Sequence, residues 1–222
     1  MTVHLIKEID RLKSSLLSVG TLVEETLHMA VKAVLTRDRK LAVKVMQTDD
    51  IINEREVDVE EECLKLLALY QPVATDLRFI VAALKINNDL ERIGDMASNI
   101  AGRAYTLSRH EHITPPFDLD ALTEKTTSML RKSLEALVNL DPSLSIQVRE
   151  ADHEVDEIHK EMYVKTQAEI KRCPENCEQL IMFLSVSKNL ERIADLTTNI
   201  AEDVIYLVSG EIVRHRKHAF LT

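Results

Sequence analysis

Glycine, proline and aromatic residues are scarce in this sequence. Its 222 residues include four Gly, five Pro and no Trp, and aromatic residues make up only 4%. A sheet with many hairpins needs Gly and Pro at its turns, so this composition argues against such a sheet and favours long helices. The apolar fraction of 45% is nevertheless sufficient to build a core. The composition therefore predicts an all-α protein.

Long apolar runs are also missing. No stretch approaches the roughly 20 apolar residues that a membrane-spanning helix needs. Residues 1–10 are charged and amphipathic, and they lack the apolar segment and cleavage site of a signal peptide. The three cysteines are an odd number, which favours free thiols in a reducing compartment. We therefore expect a cytoplasmic protein.

The formal net charge of −9 disfavours a nucleic-acid-binding surface. One basic cluster, Arg214–His218, lies near the C-terminus and is interpreted as a solvated tail.

Helical periodicity begins near the N-terminus. Apolar or small residues recur there at alternating steps of four and three, which is the stripe of a helix packed in a bundle; they are Leu5, Ile9, Leu12, Leu16, Val19, Val23, Thr26 and Ala30. Similar patterns predict helices over about 5–35, 38–70, 75–109, 118–140, 142–172 and 174–209. Thr75 or Asp76 is the expected cap of the third helix, and Gly210 is the expected end of the sixth.

Residues 111–116, which end in Pro115-Pro116, form the clearest boundary in the chain. Three helices precede it and three follow, and long helices with short connections pack antiparallel. We therefore predict two tandem three-helix bundles, at 1–112 and 113–222, related by internal duplication.

Two segments 100 residues apart support a duplication. Leu90–Ala101 (LERIGDMASNIA) and Leu190–Ala201 (LERIADLTTNIA) are identical at eight of twelve positions. The shared Glu and Asp are four residues apart, so they lie on one helix face. Core packing does not require carboxylates, and stacked carboxylates repel one another. A bound cation would explain them.

The middle helices carry a second repeated pair at an offset of 103, namely Asp49 with Asn53 and Asp152 with Asp156. Side by side, the pairs of the middle and last helices would form an acidic stripe able to hold hard cations. A solvated helix face is the alternative for any single pair. His153 and His159 flank the second-half pair, and surface positions are the default expectation for both.

These motifs resemble the PhoU family. The likeness covers nearly the whole chain and also includes Tyr70–Arg78 (YQPVATDLR) and Asn199–Tyr206 (NIAEDVIY) leading to Gly210. The resemblance implies tandem three-helix bundles with Fe, Zn, Mn or Mg ions, in some members as multinuclear clusters. The implied ligand positions are Asp49, Asn53, Glu91, Asp95, Asp152, Asp156, Glu191 and Asp195. Asn53 replaces a carboxylate, which suggests a weaker first-half site.

The resemblance also implies a function. It is negative control of phosphate uptake and of the phosphate-starvation response, at the cytoplasmic membrane face. The implied partners are a phosphate ABC transporter ATPase and a sensor histidine kinase, and a homodimer is a further expectation. The sequence contains no recognisable catalytic constellation.

Two alternative functions are compatible with the sequence. A carboxylate-bridged di-iron oxidoreductase or ferroxidase would use Glu-x-x-His motifs, and this string occurs at Glu25–His28 and at Glu150–His153. The two copies lie at non-equivalent places, which favours chance. A phosphate-binding enzyme or store is the other alternative, but the chain has no glycine-rich phosphate loop.

Overall fold

A computed structural model describes residues 3–213 and consists of long helices joined by short connections. The helices are α1 (Val3–Thr36), α2 (Arg39–Tyr70), α3 (Ala74–Leu107), α4 (Leu119–Asn139), α5 (Pro142–Arg172) and α6 (Cys177–Ser209). A 3₁₀ turn at Pro174–Asn176 precedes α6, and residues 3–213 contain no strand. The all-α prediction is confirmed, while the basic cluster Arg214–His218 lies outside the described residues.

Side-chain caps and turn residues explain most of the helix boundaries. Asp38, Asp118 and Asp141 precede α2, α4 and α5, and each side chain accepts hydrogen bonds from backbone N–H groups of the first turn. The α2 helix ends just before Gln71-Pro72. Gly210 ends α6 with a φ of 75°, a left-handed conformation that glycine adopts without strain.

Two predicted helix starts were wrong. The α3 helix begins at Ala74, and its cap residue Val73 makes no side-chain cap hydrogen bond. Thr75 and Asp76 lie inside the first turn, where the Asp76 carboxylate faces the positive end of the helix dipole. The α6 helix begins at Cys177, because the chain first forms the tighter 3₁₀ turn after Arg172.

The core is one continuous cluster of buried apolar side chains contributed by all six helices. Every member of the predicted α1 stripe is buried, and the exposed fraction of Leu12 and of Val23 is 0%. The helices α1, α2 and α3 pack on one another, as do α4, α5 and α6, while α3 packs on α6 and α1 on α4 between the two bundles. The two bundles are therefore fused along a shared core.

The α3–α6 seam has internal two-fold symmetry. Lys85 Nζ lies 3.5 Å from Asp203 Oδ1, and Arg103 Nε donates to Ser185 Oγ at 3.1 Å. Lys85 is equivalent to Ser185 in the duplication, and Arg103 is equivalent to Asp203, since each pair differs by 100 in number. Each of these two positions on α3 thus contacts the equivalent of the other position on α6, as expected for an antiparallel helix pair with two-fold symmetry. This relationship supports the tandem duplication.

None of the helices within residues 3–213 combines the length and apolar character that crossing a membrane requires.

Candidate metal centres

The predicted acidic residues of the first half meet across α2 and α3. Burial raises the pKa of Asp49, and the negative charge of Asp95 on α3 raises it further, with a smaller effect from Asp50. Burial also raises the pKa of Glu91, and Asp95, Glu56 and Asp49 add to this shift. Carboxylates on two helices are thus close enough to disfavour one another's charge.

The second half repeats this arrangement across α5 and α6. Burial raises the pKa of Asp152 to about 6, with further increases from Asp195, Asp156 and Glu191, and Thr198 opposes the shift. Asp195 is more exposed, but loss of hydration together with Glu191 and Asp156 raises the pKa of its carboxyl group as well. All four second-half residues that the sequence singled out therefore lie in one neighbourhood.

The two sets correspond position by position. Asp49 lies near Asp95 in the first half, and Asp152 lies near Asp195 in the second. These pairs match when residue numbers are shifted by 103 on the middle helix and by 100 on the last helix. We call the first group, Asp49, Asn53, Glu56, Glu91 and Asp95, the N-terminal set. The second group, Asp152, Asp156, His159, Glu191 and Asp195, is the C-terminal set.

Glu56 and His159 occupy equivalent positions in the two sets. His159 is half-buried, so the surface position expected for it was wrong. Its Nδ1 atom lies 2.7 Å from Ser187 Oγ, in a hydrogen bond whose donor depends on the tautomer. Burial lowers the pKa of His159, and Glu191 and Asp156 oppose this shift. In the first half, Asn87, equivalent to Ser187, donates to the backbone oxygen of Glu56 at 2.8 Å.

Sequence reasoning missed Glu56 as a member of the N-terminal set. It lies three residues after Asn53, so extending the face of Asp49 and Asn53 by one helical step would have found it. His153, the other flanking histidine, is exposed as expected.

A lysine distinguishes the two sets. Lys188 Nζ lies 2.8 and 2.7 Å from the two carboxylate oxygens of Glu191, one turn further along α6. The equivalent of Lys188 in the first half is Asn88, which carries no charge. Part of the negative charge of the C-terminal set is therefore neutralised by the chain itself.

An arginine follows each of the repeated glutamates directly. Arg92 and Arg192 are exposed, and Arg92 Nη1 lies 3.6 Å from Asp89 Oδ1 on the same helix.

Beneath each set, one residue of the last helix and one of the middle helix differ in size between the two halves. A larger residue at one position is accompanied by a smaller residue at the other. Gly94 follows Glu91 by three residues, and a Cβ atom there would lie 3.0 Å from Cδ1 and 3.2 Å from Cγ2 of Ile52. The equivalent residues in the second half are Ala194 and Val155, both fully buried. The second half thus combines a larger residue at position 194 with a smaller one at position 155.

The donor atoms suit a hard cation. Oδ1 of Asp49, of Asn53 and of Asp152 is buried without a hydrogen-bond partner, and buried polar atoms normally have one. Carboxylate and amide oxygens are ligands for Mg²⁺, Mn²⁺ and Fe²⁺, and an imidazole also suits Zn²⁺. Within residues 3–213, however, no three Asp, Glu, His or Cys side chains are grouped closely enough to hold a metal ion. The ligand assignment therefore stays a prediction.

Comparison with known proteins identifies the family. A model of the PhoU domain matches residues 16–104 and again 119–204, so one copy falls on each bundle. The chain belongs to the PhoU family. The resemblance inferred from the repeated motifs is confirmed, and so is the tandem arrangement of two three-helix bundles. The residue boundary between 112 and 113 stays a prediction within the connection from α3 to α4.

Relatives of similar length are known from several bacteria. The chain is 36% identical to the phosphate-specific transport system accessory protein PhoU homologue of Aquifex aeolicus, over 96% of both chains. Its fold matches the crystal structure of PhoU from Pseudomonas aeruginosa with a TM-score of 0.89 and 35% identity, over 92% of this chain and 99% of the other. It also matches the phosphate transport system regulatory protein PhoU of Streptococcus pneumoniae, with a TM-score of 0.84 and 29% identity, over 94% and 99% of the two chains.

Proposed function

We propose that this protein is a regulator of phosphate transport that holds the phosphate-starvation response off when phosphate is plentiful. One observation carries the proposal: the PhoU relationship extends over both bundles and nearly the full length of relatives named as phosphate-specific transport system accessory proteins. A relationship confined to one bundle would have supported only a shared fold.

The proposed mode of action is that of a cytoplasmic adaptor. The partners would be the ATPase of a phosphate ABC transporter and a sensor histidine kinase, so that contact with the membrane runs through partners only. The acidic net charge of −9 disfavours nucleic acid as a partner. A homodimer also belongs to this proposal.

The geometry does not favour the di-iron enzyme. Side chains that bind a di-iron centre project into the interior of a helical bundle. Glu25 and His28 are exposed on α1, and Glu150 and His153 are exposed on α5. These four side chains therefore do not meet the requirement, and a role as a regulatory accessory protein is the better account.

We further propose that both sets bind divalent or iron-type cations. A cation would supply positive charge that relieves the repulsion between carboxylates on neighbouring helices. The chain's own contribution is to bring Asp49 and Glu56 on α2 close to Glu91 and Asp95 on α3. The second half places its members likewise on α5 and α6.

A reporter of the phosphate-starvation response tests the regulatory proposal. The gene is deleted from its native host, and the reporter is measured in high phosphate with and without the gene restored. We expect the output to rise on deletion and to fall on restoration. Unchanged output after deletion would contradict the regulatory role and leave only the fold relationship.

A second experiment distinguishes a signalling role of the bound cation from a structural role in holding α2 and α3 together. Glu91→Ala with Asp95→Ala removes two ligands of the N-terminal set. A matched control, Asp120→Asn with Glu135→Gln, removes two exposed charges from α4.

Metal content, melting temperature and complementation of the deletion strain are compared between these two variants. Lost metal and lost repression with an unchanged melting temperature would assign a signalling role. A large fall in melting temperature would assign a structural role, and unchanged metal content would contradict the ligand assignment.

A further inference from the structure

Arginines gather at the end of the first bundle where α1, α2 and α3 meet. Arg37 lies in the connection between α1 and α2, Arg39 is the first residue of α2, and Arg109 follows the end of α3. Arg39 and Arg109 gather around Tyr105, which lies ten residues along α3 from Asp95, so the group is separate from the N-terminal set. We call Arg37, Arg39, Tyr105 and Arg109 the arginine cluster.

Two of the arginines converge on one phenol oxygen. Nη2 of Arg39 and Nη2 of Arg109 each donate to the Tyr105 hydroxyl oxygen at 2.7 Å. The two nitrogens are therefore no further apart than twice this distance. The guanidinium carbons also lie 4.7 and 4.6 Å from the centroid of the Tyr105 ring, within the range of cation–π contacts. Tyr105 thus holds two like charges close together.

The third arginine lies deeper. Arg37 Nη1 donates to the backbone oxygen of Leu107 at the end of α3, and its guanidinium carbon lies 5.3 Å from the centroid of the Phe183 ring. Its Nη2 atom is buried and has no hydrogen-bond partner. One strong donor group of the cluster is therefore unused, although buried donors are normally satisfied.

Acidic side chains do not balance this charge. In the described part of the chain, no carboxylate lies within ion-pair distance of Arg37, Arg39 or Arg109. Asp38 uses its side chain to accept the N–H groups of Lys40 and Leu41, and Glu178 lies 3.8 Å from His110. The hydrogen bond from Arg39, followed by that from Arg109, lowers the pKa of Tyr105. Three arginines thus lie close together in a chain with a net charge of −9.

The partial negative charge at the C-terminus of α3 accounts for part of this clustering. It amounts to about half an elementary charge and acts only within the last turn. Arg37 already occupies this position through its bond to Leu107. Arg39 and Arg109 therefore have no ion-pair partner among residues 3–213.

We propose that the arginine cluster is a binding site for a phosphate group. Planar guanidinium groups bind tetrahedral oxyanions through paired N–H donors. Arg39 and Arg109 would contact separate oxygens of one dianion, and the Tyr105 hydroxyl group would set their spacing. The phosphate group could belong to inorganic phosphate or to a small nucleotide, since both present the same terminal oxyanion.

The test measures binding to the full-length protein in buffer that contains a chelator, which prevents binding of phosphate through a metal ion. Inorganic phosphate and, separately, magnesium-free ATP are titrated by calorimetry at constant ionic strength. Arg39→Gln with Arg109→Gln is the test variant. Lys44→Gln with Arg131→Gln is a control that removes the same charge from exposed positions on α2 and α4.

We expect saturable binding of at least one ligand, with a dissociation constant of about 1 mM or lower. The affinity should fall at least about tenfold in the test variant and change less than about twofold in the control. Tighter binding of ATP than of phosphate would identify a nucleotide as the source, and comparable binding would identify free phosphate.

Arg39→Lys with Arg109→Lys keeps the charge but loses the paired donors, and it should bind more weakly than the unaltered protein. Circular dichroism and melting temperature establish that each variant is folded. Absence of saturable binding of either ligand, or equal affinity in the test variant, would overturn the proposal.

Discussion

Lys188 donates to both carboxylate oxygens of Glu191, at 2.8 and 2.7 Å, whereas its first-half equivalent is the uncharged Asn88. Glu56 adds a carboxylate to the N-terminal set at the position where the C-terminal set has His159. The N-terminal set is therefore the more anionic of the two. We expect it to bind cations more tightly, which is opposite to the order that Asn53 alone suggests.

Exchanging these two residues tests this order. Lys188→Asn should tighten Mn²⁺ binding by the C-terminal set about tenfold, since two unit charges 4 Å apart interact by about 1 kcal/mol in bulk water and by about 4 kcal/mol near a protein surface. Calorimetry in a Glu91→Ala, Asp95→Ala background reports on the C-terminal set alone. Asn88→Lys in the otherwise unaltered chain should weaken the N-terminal set.

Lys171→Asn, at an exposed position near the end of α5, is the control for the loss of one lysine. Equal tightening by Lys171→Asn would show that only net charge matters and would contradict the role assigned to Lys188.

The raised pKa of Asp152, at about 6, predicts how stability changes with pH. Between about pH 4 and pH 6, Asp152 keeps its proton in the folded protein but has released it in the unfolded chain. The free energy of unfolding therefore decreases as the pH rises through this window. In the presence of a chelator, Asp152→Asn should stabilise the protein at pH 7 by about 1 kcal/mol after allowance for solvent screening, or about 2–4 °C in melting temperature.

The stabilisation should disappear below about pH 4, where Asp152 is protonated in both states. Thermal melts of the two proteins from pH 3.5 to pH 8 provide the measurement. A difference in melting temperature that does not depend on pH would contradict this assignment of the pKa.

The packing of Gly94 against Ile52 predicts that mutations at these two positions have non-additive effects on the free energy of unfolding. Gly94→Ala gains about 1 kcal/mol in helix propensity, but the new methyl group would press on Ile52. Ile52→Val alone should cost about 1 kcal/mol because it leaves a small cavity. Gly94→Ala should therefore stabilise the Ile52→Val protein and give no gain in the unaltered protein.

Urea unfolding of the four proteins of this cycle measures the coupling, which we expect to be at least about 0.5 kcal/mol. Additive effects of the two mutations would contradict the packing account.

The environments of the cysteines predict selective alkylation. Burial raises the pKa of Cys63 to about 12, and the side chain is fully buried. Cys173 and Cys177 lie half-buried at the ends of the 3₁₀ turn. At pH 8, iodoacetamide should modify these two residues and leave Cys63 unmodified, because the thiolate is the reactive form.

Mass spectrometry of the alkylated, digested protein checks this outcome, and the same reaction in urea should modify all three cysteines. Rapid modification of Cys63 in the folded protein would show that α2 opens locally.

Periodicity sufficed to predict the six helices, although the cap expected for α3 and the start expected for α6 were wrong. The α1 stripe from Leu5 to Ala30 is buried, and Asp38, Asp118 and Asp141 begin the helices that follow them. The repeated motifs also predicted which residues of the two halves are equivalent. These features depend on residues that are close in the sequence, or on comparison of one half with the other.

Contacts between helices were harder to predict. The role of Lys188 depends on its rotamer, and Glu56 becomes part of the N-terminal set only because α2 packs on α3. The arginine cluster joins Arg39 to Arg109, which lie far apart in the chain. A stripe of apolar residues determines which face of a helix is buried, but it does not determine which polar residues meet beside that face.

The two-fold seam between α3 and α6 has a consequence for how the halves can differ. Two separate copies of one bundle joined along such a seam would have to carry identical residues on both sides. Covalent linkage removes this requirement and keeps the partners together at a high effective concentration. Lys85 can therefore face Asp203 while the equivalent Ser185 faces Arg103. The fused chain is a symmetric scaffold whose two surfaces are free to specialise independently.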